Sequence, residues 1–322
     1  MQICWSDREG QESLMGRTIL KTIIALAVAG AALLVLMGHT GAWDRLMEQF
    51  SGGNTEAQEE LLPKDSTFSA TYFDVGEADC ALVECDGRYM LIDGGEPENS
   101  SRLYAYLKEH KIRRLNTVVC SHAHADHVGG LAGALRYAKV RRAYAPVRKH
   151  TNRTFQNFVN AVERQGKKII IPSPGDQIRL GRARVEFLGP VDMSLAEGFE
   201  NNSSIILRIE YGKTSFLFTG DAEILEEASV ADAAGEKLRS TVLKASHHGS
   251  YTSSTEKFLD KVRPRYCVIS VGADNEFEHP HDTTMERLQG YARRIYRTDR
   301  DGTVICTSDG KRVTFTTEKG EK

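Results

Sequence analysis

The most constraining feature of the 322-residue chain is a decapeptide, residues 121–130, which reads SHAHADHVGG. It sets His122, His124, Asp126 and His127 within six residues, directly after the apolar run 117–120 and ahead of a helical pattern. Imidazole and carboxylate are ligands that Zn(II), Mn(II) and Fe(II) accept. A loop at a strand end can aim alternate side chains of this kind at two neighbouring ions. The fold must then bring other strand ends to the same place to complete the ligand sets. The plain alternative is a solvated, histidine-rich turn.

Two later segments have the form such a site needs. Residues 216–221 read FLFTGD, an apolar strand that delivers Asp221 on a glycine turn, where a carboxylate can bridge two ions. Residues 243–250 read LKASHHGS, a strand that empties into His247 and His248, and residues 277–281 read FEHPH, with His279 beside Pro280. A serine triad through Ser246 or Ser250 is the weaker reading, because no Gly-x-Ser-x-Gly elbow surrounds either residue.

From residue 67 onward, short β-rich runs alternate with helical ones. Strands are expected at 67–74, 81–84, 88–92, 117–120, 204–210, 214–218, 241–245, 267–271, 303–307 and 311–316, with hairpin turns at Asp86-Gly87, Tyr211-Gly212-Lys213 and Asp309-Gly310. Helices are expected at 101–111, 127–139, 223–234 and 254–261. This order predicts an α/β fold, a sandwich of two mixed sheets with helices outside, of the αββα type.

With 40% apolar residues and 8 Pro, the chain is neither disordered nor fibrous. Its one uncharged apolar segment, residues 22–37, excludes a multi-span membrane protein. That segment reads as a signal peptide or a single membrane anchor; a span needs about 20 apolar residues, and counting from Ile19 with Lys21 at the interface comes close. Arg17 and Lys21 on its N-terminal flank put that end in the cytoplasm and the rest outside. The expected organisation is a short N-terminus with the signal or anchor over 1–40, a polar linker over 41–66 and a folded domain that carries the histidine loop over 67–322. The protein is then a single-pass cell-membrane protein with its domain outside, or secreted if the segment is cleaved. The six cysteines form no Cys-x-x-Cys pair, and Cys120 and Cys267 lie in apolar runs, as buried structural thiols do.

The net charge of −2 conceals an asymmetry: residues 111–184 carry +13 and the remainder −15. So basic a stretch suits an anionic partner. Arg141, Arg142, Arg148, Lys149 and Arg153 are the residues expected at the mouth of a metal site, Arg148 and Lys149 because RKHTNRT follows an apolar run and reads as a loop. The alternative is a set of solvated faces whose charges never converge.

Taken together, the blocks FDVGEADC from Phe73, LIDGG from Leu91, SHAHADHVGG, NNSSIIL from Asn201, LFTGD from Leu217, LKASHHGS, the stretch 270–280 and YRTDRDGT from Tyr296 resemble the metallo-β-lactamase superfamily. Within it, the chain is similar to the extracellular hydrolase domain of ComEC-type DNA-internalisation competence proteins, over residues 67 to about 317. The resemblance implies two divalent ions, zinc first with manganese or iron as alternatives. It places His122 and His124 on one ion, Asp126 and His127 on the second, and Asp221 between them. It favours His279 as the last metal ligand and His248 as proton donor, with the reverse order as the alternative. Asp126, His248 and His247 are the candidate catalytic residues. The family's usual third histidine on the first ion is replaced here by Asn201 and Asn202. Asn202, His150, Arg148 and Lys149 are candidates for contact with substrate, and His150 is also a candidate for the missing ligand.

Two close divalent ions lower the pKa of a bound water towards about 7 and supply hydroxide to an electrophile. The expected function is therefore an extracytoplasmic, dinuclear phosphodiesterase or nuclease that acts through metal-bound hydroxide on an anionic substrate, DNA among them. Competence proteins of this type carry a many-helix channel, so DNA transport does not carry over. The alternatives are a lactam or lactone hydrolase, for which the basic stretch has no task, and a non-catalytic DNA-binding module of an uptake apparatus.

Overall fold

The computed structural model describes residues 68–320. The expected signal or anchor at 22–37 and the linker at 41–66 lie outside the described residues. Among the described residues no helix is long and apolar enough to cross a membrane.

Alternation of β-branched and aromatic residues produces strands whose successive side chains serve different layers. The first six are β1 (Phe68–Tyr72), β2 (Ala81–Cys85), β3 (Arg88–Ile92), β4 (Arg114–Val119), β5 (Lys139–Tyr144) and β6 (Ile169–Ile170). Then follow β7 (Gln177–Leu180), β8 (Ala183–Gly189), β9 (Ile206–Tyr211), β10 (Thr214–Phe218), β11 (Val242–Lys244), β12 (Tyr266–Ile269), β13 (Arg294–Arg297), β14 (Val304–Ser308) and β15 (Val313–Thr317). One sheet has the order β15-β14-β1-β2-β3-β4-β5-β6, the other β13-β12-β11-β10-β9-β8-β7. In β10, Phe216 and Phe218 enter the layer between the sheets, where they meet Phe68 and Tyr72. Leu217, between them in sequence, faces the other way, onto Val230, Phe258 and Leu259. A third apolar layer packs Leu103, Leu107, Leu131 and Phe155 on the outer face of the first sheet. Helices outside two stacked sheets make the αββα architecture that the pattern predicts.

Strands β3 to β6 are parallel, as are β10 to β13. Their carboxyl ends meet at one pole, where Ile205 N–H donates to the Ser121 carbonyl (2.9 Å) and His247 N–H to the Gly220 carbonyl (3.1 Å). Strand-end loops from both sheets therefore face one another there, and every quoted motif empties into that pole.

The helix expected over 127–139 is two short helices, Ala125–Val128 and Leu131–Tyr137, separated at Gly129 and Gly130. Close packing dictates those glycines: a Cβ on Gly130 would sit 2.1 Å from the Gly94 carbonyl oxygen, and one on Gly129 2.2 Å from the Glu96 carbonyl carbon. The LIDGG and HVGG blocks thus lie backbone against backbone, which fixes the histidine loop relative to Asp93. Strands β5, β7, β8 and β13 and the helices Arg153–Arg164 and Asp282–Tyr291 were not among the expected elements. The periodic signal is present in two of them: Phe155, Phe158, Val159 and Val162 have helical spacing, and Ala183, Val185 and Phe187 alternate as in a strand, within the stretch whose charge drew the functional reading.

Candidate metal centre

The loop 121–128 leaves β4 and turns at once into helix, which sets His122 and His127 in the interior with no exposed surface. Asp221 follows β10, and His248 follows β11 in a turn where both His247 (φ 48°) and His248 (φ 51°) have left-handed backbone. Asp93, at the end of β3, is also left-handed (φ 57°). Non-glycine residues rarely adopt this region, and functional sites are where such strain is retained.

One donor of each of Asp126, His127, Asp221 and His248 lies within 4.8 Å of the others. His127 Nε2 stands 3.1 Å from Asp126 Oδ2 and 3.1 Å from Asp221 Oδ2, and His248 Nε2 is 3.3 and 3.6 Å from the same two oxygens. Each imidazole is held from behind: His127 Nδ1 lies 3.1 Å from Asp93 Oδ2, and His248 Nδ1 donates to the Ser270 carbonyl at 2.8 Å. Such contacts leave Nε2 to face the centre and set the ring orientation. His122 Nε2 and Asp221 Oδ1 are buried without a hydrogen-bond partner. Orphaned buried donors and acceptors are costly, and a divalent cation among nitrogen and carboxylate ligands would satisfy them. On that count the residues fit a divalent ion among Asp126, His127, Asp221 and His248.

Electrostatics point the same way. Burial works against charge on His127, but Asp221 and Asp126 beside it hold its pKa well above the ordinary value. Against the same burial, Asp221 lifts His248 to about 9. Burial pushes Asp221 up, yet His127 and His248 keep it well below the usual carboxylate range, and His127 does the same for Asp126. Both carboxylates thus favour positive charge between them.

The other half of the centre is looser. His122 packs against His127 (ring centroids 4.2 Å) and His124 (4.6 Å), and burial together with His127 holds its pKa well below normal. His124 Nε2, however, lies 3.4 Å from Glu200 Oε2, and His150 Nε2 lies 2.9 Å from Glu200 Oε1. One carboxylate therefore links the two histidines. Asn202, a candidate for substrate contact, directs its Oδ1 to the N–H groups of Glu223 and Glu226, at the start of the helix Ile224–Ala234. Its neighbour Asn201 is the one that reaches His247 Nε2, at 3.4 Å, and has a buried Oδ1 without a partner.

The resemblance favours His279 among the ligands with His248 as proton donor, and keeps the reverse order as the alternative. His248 lies in the donor group, and His279 stacks on it with ring centroids 6.2 Å apart. His279 Nδ1 is 2.7 Å from Glu77 Oε1, and Glu77 Oε2 accepts from Gly272 N–H at 2.7 Å. His247 Nδ1 is bound to Thr252 Oγ1 (3.1 Å), with its Nε2 3.9 Å from Asp221 Oδ2. Arg148, Lys149 and His150 line a cleft of about 280 Å3. Arg141 and Arg142 do not line it; they line another cleft with Arg179 and Arg184.

Several supporting residues, Asp79 of the FDVGEADC loop among them, have contacts that their place in the sequence does not assign. Asp79 pairs with the buried Lys244 at 2.6 Å beneath the centre, Asp93 backs His127, Glu77 backs His279 and Glu200 joins His124 to His150. The available signal was a charged residue inside an otherwise apolar strand-end block: Asp79 in FDVGEADC, Asp93 in LIDGG, Lys244 in LKASHHGS. Glu200 has none, because its partners lie 50 and 76 residues away.

Residues 73–273 match the family described as the metallo-beta-lactamase superfamily. The chain is 29% identical over 249 residues to ComE operon protein 3 of Bacillus subtilis, covering 72% of this chain and 32% of that protein. It is 28% identical over 289 residues to competence protein ComA of Neisseria gonorrhoeae, covering 87% and 38%. The chain thus spans about a third of the length of the curated relatives it matches. Among solved structures, the metallo-beta-lactamase fold protein YhfI of Bacillus subtilis aligns at 13% identity and a TM-score of 0.49, over 75% of this chain and all of that one. On the family match, which spans most of the described residues, the chain belongs to the metallo-β-lactamase superfamily of metal-dependent hydrolases.

Proposed function

We propose that the domain hydrolyses phosphodiesters, DNA strands among them, with two divalent ions, zinc first, at a centre held outside the cell by the segment 22–37. The observation that carries this reading is the convergence of Asp126, His127, Asp221 and His248, with each imidazole anchored through Nδ1. When bound, the ions would supply hydroxide at neutral pH and offset charge that develops on the phosphoryl oxygens. Asp126, His127, Asp221 and His248 are the residues to hold one ion; His122 and His124, with Asp221 shared, are those for the other. Arg148 and Lys149, in the cleft that includes His150, suit the phosphate groups of an extended substrate.

His279 is the proton donor to the leaving oxygen in this reading. Glu77 occupies its Nδ1, which leaves Nε2 as the atom that delivers the proton. Asp126 and His247 act through position, Asp126 as a ligand and His247 by lining the centre beside Asp221. The relatives' names, a competence protein and the product of a ComE operon, support a nucleic-acid substrate.

The test is turnover of bis(p-nitrophenyl) phosphate, single-stranded DNA and nitrocefin by the full chain in zinc or manganese, together with metal analysis. Phosphodiester cleavage without nitrocefin cleavage is expected. His279→Ala should keep its metal and lose about 10²–10⁴-fold in turnover. Nitrocefin or lactone hydrolysis alone would move the assignment to neutral substrates, and DNA binding without any turnover would leave a non-catalytic module.

A further inference from the structure

The pole opposite the metal centre is strongly basic, and nothing in the hydrolytic reading uses it. The amino ends of the parallel strands and the hairpin turns of both sheets gather there. Strand β1 begins at Phe68, whose register partner is Ser308, and Thr214 Oγ1 lies 2.8 Å from Ser308 Oγ. The two turns touch through Lys213 N–H and the Gly310 carbonyl, 2.6 Å apart. Between these strand ends runs a cleft of about 880 Å3. Its wall includes Lys213, Arg239, Arg263, Arg265, Lys311 and Arg312, all exposed, and its one acidic lining residue is Glu236. Arg208, also in the wall, is engaged with Glu210 (2.7 Å) and the Arg239 carbonyl. None of the six exposed cations forms an ion pair with a carboxylate among the described residues. Two cations of the basic stretch 111–184, Arg114 and Lys139, also open β4 and β5 at this pole, whereas Arg182 in the β7–β8 turn is paired with Asp86 at 2.8 Å. Six cations set against Glu236 and the neighbouring Asp309 leave an excess of positive charge around one concave face, which costs stability unless a polyanion meets it.

The second observation is where the chain enters. Strand β1 begins with Phe68 at this pole, and in sequence thirty residues, 38–67, separate it from the uncharged apolar segment 22–37. The carboxyl end of β1 leads the other way, towards the Asp79 loop under the metal centre.

We propose that this basic pole docks on the anionic phospholipid headgroups of the membrane that holds the chain, with the cleft taking headgroup phosphates. The inference rests on the reading of 22–37 as a membrane segment. It turns the metal centre away from the bilayer, open to substrate from solution. A polybasic surface next to a membrane segment gains affinity from each cation near the headgroups, within a Debye length of the surface. The cleft's cations sit in the turns and short connections beside the strand ends.

The experiment uses the full chain reconstituted into vesicles of neutral phosphatidylcholine, or with phosphatidylglycerol as about a third of the lipid. Lysine acylation is read by peptide mass spectrometry. Lys213 and Lys311 should react several-fold more slowly in the anionic vesicles, Lys149 at an unchanged rate, and high salt should abolish the difference. A variant with Arg239→Glu, Arg263→Glu, Arg265→Glu and Arg312→Glu should lose the protection while its circular dichroism and phosphodiesterase turnover in detergent stay as in the parent. Equal rates in both vesicles would overturn the proposal. So would protection that appears in neutral vesicles on adding single-stranded DNA but not with phosphatidylglycerol, which would assign the cleft to nucleic acid. Alkaline extraction from neutral vesicles tests the membrane segment separately. If the chain is extracted, flotation with anionic but not neutral vesicles still supports the docking surface, and flotation with neither overturns it.

Discussion

His124 and His127 stand three residues apart in one loop, yet they belong to differently built halves of the centre. His127 is fully buried, with Asp93 behind its Nδ1 and two carboxylates 3.1 Å from its Nε2. The His124 side chain is 40% exposed, and its Nε2 faces a Glu200 that is itself 36% exposed. The difference lies in what stands behind each ring. Around His127, the buried Asp79, Asp93 and Lys244 lock the donors before any ion arrives; around His124, water competes for the same contacts. Low dielectric strengthens electrostatic attraction in the first half, and solvent screens it in the second. The buried half should therefore hold its ion more tightly.

The largest expected effect comes from deleting a ligand on either side. After dialysis against a weak chelator, His248→Ala should lose the tightly held ion and nearly all phosphodiester turnover. His124→Ala should keep one ion equivalent by plasma mass spectrometry. Loss of both ions from His124→Ala, with one retained in His248→Ala, would invert the comparison.

Moving one layer out gives a middle-sized effect. Asp93→Asn keeps the shape but weakens the hold on His127, and the affinity of the buried half should fall about 10–100-fold in a chelator-competition titration. Glu200→Gln should change only the weaker of two binding constants. Equal shifts in both constants would mean that the halves are one coupled unit.

The smallest effect concerns the loop that carries Glu200. Behind it Glu226 accepts from Val191 N–H at 2.9 Å, and burial raises its carboxyl from 4.5 to about 7. The folded form thus binds a proton that the unfolded chain releases at lower pH. Stability from this group is present below pH 4.5 and is lost as pH rises to about 7. Glu227, also raised to about 7 by burial, contributes with the same sign. The urea midpoint should therefore fall between pH 5 and pH 8, and Glu226→Gln, which keeps the acceptor for Val191, should flatten part of that fall. An unchanged slope in the variant would show that Glu226 is ionised throughout and that the loop is not tied to pH.

The sheets were legible because buried strands alternate with turns that only Gly, Asn or Asp can make, as at Asp86-Gly87 and Asp309-Gly310. Those two turns appear where expected. The helix over 127–139 was misjudged because a period-3.6 pattern does not register Gly129 and Gly130, whose role is set by Gly94 and Glu96 from a different segment. His122, His124, Asp126, His127, Asp221 and His248 were all named from residue type and position. The choice between His248 and His279 was not legible, since both follow a strand and both precede a short helix.

Residue chemistry and local pattern alone determined that this chain folds as an α/β sandwich with a dense histidine and aspartate loop at a strand end, and that the loop suits divalent metal. Such properties depend on neighbours within a few residues and on side-chain type. Tertiary structure decided which histidine joins Asp126, His127 and Asp221, that Glu77 stands behind His279, that Glu200 joins His124 to His150, and that Arg148 and Lys149 lie by His150 while Arg141 and Arg142 line a separate cleft. Each of these depends on contacts between segments tens to hundreds of residues apart. The register of two sheets and the direction of each strand set those distances, and no local pattern encodes them.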